Sequence, residues 1–170
     1  MYEIGDTVLY DTQGVCRIAQ ITEKDFNGKR LSYYVLKPVY DEKSTVFVPV
    51  DNESLTQRMR RILSEEEIHA LIRSMPQEDA HWIEDENERK QAYKEVLAQG
   101  DRVKLIQTIK ALYLHREKLR TQGKKLHVAD ERFFKEAEKL LYDEFAHVLH
   151  IAREEILPYI LAQCEAMEGE

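Results

Sequence analysis

Asp143, His147 and His150 follow one another at spacings of four and three residues. On a helix that would set a carboxylate and two imidazoles along one face, the start of a divalent-metal site. A third strong partner and a fixed ligand motif are missing, so the residues read as surface or helix-end histidines and no metal is expected. The chain has no P-loop, no GxGxxG fingerprint, no nucleophile elbow and no Ser/His/Asp signature. It is therefore expected not to be an enzyme and to need no cofactor. Tyr10, Tyr33, Tyr34, Tyr40 and Phe47 could line an aromatic cage for a cation. Their alternation along short strands favours core packing and cross-strand pairing instead.

Three other features bear on binding. The single tryptophan, Trp82, precedes Glu84, Asp85, Glu86 and Glu88, and Arg89 and Lys90 follow. A large ring beside so many carboxylates is either a core anchor or an exposed wedge for a partner, and both readings stay open. The segment STVFVPV, residues 44–50, is apolar yet carries Pro49, which has no N–H for a ladder and so favours a sheet edge. Such an edge can accept a strand from another chain or be covered by its own neighbours. Charge is also unevenly spread. The net charge is −7, but residues 62–88 carry −8, residues 89–125 carry +8 and residues 126–170 carry −7. One basic block between two acidic ones allows a local anionic partner, although free DNA would bind weakly.

The elements that would position these residues fall into two halves. Short β-rich runs fill the first 60 residues: 6–10, 15–21, 31–40 and 44–50, with LTQRM (55–59) as a fifth strand. Asn27-Gly28 suits a type I′ hairpin. Close turns favour a small barrel. After Arg61 the period becomes helical. Ser64 and Glu67 form a capping box, Pro76 ends that helix, Gly100 ends a second and Asp101 caps a third. Two more helices follow, over about 129–149 and 152–166. The expected boundary is 1–61 for the β domain and 62–170 for the helical one. Cys16 and Cys164 are too few for a disulfide framework, and no run is long and apolar enough to span a bilayer. With no signal-like start, a cytoplasmic location without membrane association is expected, and a monomer.

The motifs IGDTVLYDTQGVCRI, GKRLSYYVLKPVYDEKSTVFVPV, LSEEEIHALIRSMP and YKEVLAQGDRVKLIQTIKALY resemble those of the CarD family of bacterial transcription regulators over most of the chain. The resemblance implies an α+β protein of two domains. The first is a five-stranded Tudor/SH3-like β-barrel that docks on the RNA polymerase β subunit partly by strand pairing. The second is a compact five-helix domain that contacts promoter DNA at the upstream bubble edge and modulates open-complex stability. Carried over by position, Lys24, Phe26, Val46, Phe47 and Val48 would meet the polymerase. Trp82, Arg89, Lys90, Lys94, Arg102 and Lys104 would meet DNA. Two departures stand out: some members have arginine where Phe47 stands, and the acids after Trp82 separate it from its bases. The alternative is a polymerase-bound adaptor whose helical domain recruits a protein.

Overall fold

The computed structural model describes residues 1–77 and 79–168. The chain divides into two compact units, Met1–Leu63 and Ser64–Glu170. Architecturally it is α+β: an antiparallel sheet of five strands in the first unit and a set of helices in the second.

In the first unit the strands are β1 (Thr7–Tyr10), β2 (Gly14–Phe26), β3 (Lys29–Pro38), β4 (Val46–Pro49) and β5 (Met59–Arg61), in the spatial order β4-β3-β2-β1-β5. Asn27 and Gly28 have φ values of 52° and 78°, so the two-residue turn between β2 and β3 is the left-handed kind their types favour. Val8, Cys16, Ile18, Leu36 and Val48 point to the inner side and are almost fully buried, with Tyr10, Tyr34 and Met59 beside them. Burial pushes the Cys16 thiol up to about 12, so it is a packing group.

The pairing of β2 with β3 slips between Ile18 and Gln20. Ala19 is the extra residue of a bulge. Before it, even-numbered residues such as Cys16 and Ile18 face the core. After it, even-numbered Lys24 and Phe26 face outward. The bulge thus aims the far half of β2 at solvent.

The expected fifth strand at 55–59 begins later than the pattern suggests. Asn52 accepts a hydrogen bond from the Leu55 N–H at 3.2 Å and caps a single helical turn, α1 (Glu53–Thr56), before β5 starts at Met59. An asparagine cap outcompetes the weak strand preference of Leu55-Thr56.

The second unit holds α2 (Glu65–Ser74), α3 (Glu86–Gln99), α4 (Arg102–Thr121), α5 (Val128–Leu149) and α6 (Ile156–Glu168). Its helix ends obey the local signals. Ser64 and Glu67 exchange both capping-box hydrogen bonds. Gly100 takes a left-handed φ of 62°, and Asp101 then caps α4. Pro158 sits in the first turn of α6, where its missing N–H breaks no helical bond. Phe133, Phe134, Ala137, Leu141 and Phe145 make α5 the central helix, with Ile68, Ile72, Leu105, Leu112, Ile156 and Ile160 buried as well. No helix among the described residues is long and apolar enough to cross a membrane.

Candidate functional site

The first candidate is the outer side of β4, which among the described residues has a strand neighbour on one side only. Val50 N–H donates to the Ser32 carbonyl at 2.9 Å. In an antiparallel ladder the direction alternates, so the main-chain groups of Val46 and Val48 also turn toward β3. Those of Phe47 and Pro49 turn outward. The missing N–H of Pro49 therefore costs the ladder nothing.

Side chains divide the same stretch differently. Of the residues expected to meet the polymerase, Val48 is fully buried and Val46 packs on the core. Phe47 is 43% exposed, and Lys24 Nζ lies 3.8 Å from its ring centroid. Tyr33 meets the same ring edge-on at 6.4 Å. Phe26, one turn of the pleat beyond Lys24, is 63% exposed. Lys24, Phe26 and Phe47 thus share the outer face, with Phe47 presenting an open peptide group as well. The aromatic cage is not assembled: Tyr10 and Tyr34 are in the core, whereas Tyr40 is exposed.

The second candidate surrounds Trp82, which lies in an irregular segment before α3. Asp85 caps α3 by accepting from Glu88 N–H at 2.9 Å, and Glu86 and Glu88 occupy its first turn, where negative charge is favourable. Much of the acidic run is thus helix-start chemistry. Glu86 also pairs with Lys90 at 3.4 Å across the exposed surface.

Arg89 is not offered to a phosphate. Its guanidinium is buried, donating from Nε and Nη2 to the two Asp130 oxygens at 2.8 and 2.9 Å, and from Nη1 to the Ile83 carbonyl at 3.0 Å. Tyr93 donates to Asp130 Oδ1 at 2.7 Å and stacks on Phe133 with ring centroids 4.0 Å apart. Burial alone would raise the Asp130 carboxyl, but the hydrogen bonds from Arg89 and Tyr93 outweigh it and hold the group below its ordinary value. Arg102 is likewise committed, with Nη2 at 2.6 Å from the buried Glu144 carboxylate. These two arginines, expected to meet DNA, are paired with carboxylates of α5 and so join helices.

Lys90, Lys94 and Lys104 are exposed, with Lys104 Nζ 3.2 Å from Gln99 Oε1. The structure gives Trp82 other neighbours. His115 lies flat on its ring, 3.6 Å between centroids at an interplanar angle of 7°, and Arg89 Cζ is 4.5 Å from the same ring. A cleft of about 280 Å³ beside the stack is bordered by Lys124, Lys125 and His127, and another of about 200 Å³ by Leu114 and Lys118. Sequence proximity to Trp82 points to residues 89–104 instead, which is why reasoning from the sequence misses these. Their common signal is membership of the same basic block.

Asp143 is buried, and burial raises its carboxyl although Arg153 Nε lies 3.1 Å away. His150 ends α5 in a left-handed conformation with φ 56°. Among the described residues no three His, Cys, Asp or Glu side chains gather to hold a metal.

Residues 2–63 match the family model described as the CarD-like/TRCF RID domain, and residues 67–160 match that of the CarD C-terminal domain. The chain belongs to the CarD family. The first match ends at the residue where the first compact unit of this CarD-family chain ends, and the second lies within the second unit.

Proposed function

We propose that this CarD-family protein is a transcription regulator that binds the RNA polymerase β subunit through the β4 edge, using Lys24, Phe26 and Phe47. The carrying observation is the outward peptide of Phe47 in an apolar edge strand, its exposed ring lying under a lysine. Strand addition supplies main-chain hydrogen bonds, and the ring beside them adds apolar contact. In this reading residues 1–61 are the docking domain and residues 62–170 the DNA-contacting domain of a cytoplasmic monomer.

The helical domain then meets promoter DNA at the upstream bubble edge. Lys118, Lys124 and Lys125 around Trp82, with Lys90, Lys94 and Lys104, supply positive charge. A net charge of −7 is compatible with this role because tethering replaces free binding with an effective concentration of order mM. No step in this function calls for a catalytic group or a cofactor.

Capture of RNA polymerase by the purified chain, with crosslinks mapped to the β subunit, tests the first contact; crosslinks that avoid β would overturn it. Open-complex lifetime on a promoter tests the second. Charge reversal at Lys118, Lys124 and Lys125 should shorten or lengthen that lifetime. An unchanged lifetime with intact polymerase binding would instead favour an adaptor that recruits a protein.

A further inference from the structure

We infer that the outward face of α6 is a docking surface for a positively charged amphipathic helix of another protein. The inference stands apart from the polymerase and promoter contacts, which use β4 and the basic block.

Residues 156–164, ILPYILAQC, contain no charge. A surface helix ordinarily sets polar residues opposite its buried stripe. In α6 the buried side is filled by Ile156 and Ile160, yet the opposite side carries Leu157, Pro158, Leu161 and Ala162, all exposed. Leu157 is 45% exposed and Leu161 54%. Four residues apart, they lie one above the other and form the kind of ridge that seats in the groove of a facing helix. Single surface leucines need no explanation, but a continuous uncharged ridge marks a surface that another molecule covers.

Acids surround the ridge. Glu154 and Glu155 are exposed just before it, and Glu165 is exposed one turn after Leu161. Arg153 stands beside them, but its Nε lies 3.1 Å from Asp143 Oδ1. More acids come from α2. His69 Nε2 and Tyr159 Oη are 2.6 Å apart and tie α2 to α6. Glu65 and Glu66 are exposed on the turn of α2 before His69, against Arg73 on the turn after it. Two stretches that are acidic in the sequence, 62–88 and 126–170, thus come together here.

This distribution selects the occupant. Nucleic acid and anionic lipid would both be repelled. A second copy, parallel or antiparallel, would set the acids at the ends of one ridge against those of the other. A helix with an apolar stripe flanked by lysine and arginine matches the ridge and its acids together.

The probe is a dye-labelled synthetic helical peptide with leucines along one face and lysines and arginines elsewhere. Titrated with the full chain and followed by anisotropy, it should bind saturably, and less tightly as salt is raised. A peptide of the same composition with its leucines scattered around the helix should bind about tenfold more weakly. Leu157→Ser together with Leu161→Ser should weaken binding of the first peptide about tenfold, with the melting temperature followed alongside. Glu154→Lys with Glu165→Lys changes exposed side chains only, so it probes the same surface should the leucine variant unfold, and it should also weaken binding. No binding at millimolar protein would overturn the proposal, as would equal affinity for the scattered peptide or unchanged affinity in the glutamate variant. Self-association of the full chain that Leu161→Ser abolishes would overturn it too, because the occupant would then be a second copy.

Discussion

Each unit places a cation over an aromatic ring, and the two pairs do opposite things. On the sheet, Lys24 caps Phe47 at 3.8 Å in view of solvent, on a strand whose outer peptide groups have no strand partner among the described residues. In the helical unit, Arg89 approaches Trp82 at 4.5 Å from inside, with its guanidinium already bonded to Asp130 and to main-chain carbonyls. The first pair is available and worth little to the fold. The second is part of the fold and leaves only one component, the indole, near the surface. Exposure and prior commitment of the cation, rather than the residue types, separate a contact surface from a structural joint.

The contrast breaks most sharply at Arg89. Arg89→Ala leaves Asp130 charged and buried, and should cost about 3–5 kcal/mol of helical-unit stability. Thermal unfolding of the full chain should then show an early transition while polymerase capture by the β unit persists; simultaneous loss of both would contradict the division of roles.

Phe47→Pro attacks the other side. The Phe47 N–H faces outward, so proline there removes no bond to β3, yet it removes a donor from the open edge. Polymerase affinity should fall about tenfold or more, for a lost and unsatisfied main-chain hydrogen bond. The melting temperature of the β unit should change little, and a collapse of that unit would mean the strand register is misread.

Acid offers a third comparison. Because Asp130 is held below its ordinary value of 3.8, the folded state favours its ionised form. That stabilisation is fully present above about pH 4 and is lost as pH falls through the lowered value. The helical unit should therefore lose stability progressively in acid, and Asp130→Asn, less stable at neutral pH, should lose less on acidification. Circular dichroism melts across that range would show it. The smallest effect is expected at Lys24→Ala, where loss of the exposed cation–ring contact should cost the β unit about 0.5–1 kcal/mol, read as a small fall in its melting temperature.

The sequence makes the local features legible because they depend on neighbours in the chain. Asn27-Gly28, the Ser64–Glu67 box, Gly100 and Asp101 each act within a few residues, and Pro49 marks the edge through its own missing N–H. Projecting α3 backward puts Trp82 on one stripe with Arg89 and Tyr93, which permits a core role for the indole, whereas Arg89 reads as a surface cation. Its partner cannot be read that way. Asp130 is 41 residues away, and no local periodicity encodes which carboxylate will meet a buried guanidinium. His115 is hidden for the same reason: only packing brings the turn at its position on α4 against a segment that is not helical.

The bulge at Ala19 decides which chemistry the strand turns outward. Because a strand shows alternate residues to alternate sides, the same residues paired with β3 without the bulge would set Glu23 and Asp25 opposite Leu31 and Lys29, where Lys24 and Phe26 now stand. The outward surface of β2 would change from basic and aromatic to acidic without a single substitution. Its chemistry is therefore written in the register of the strand as much as in the identities of its residues.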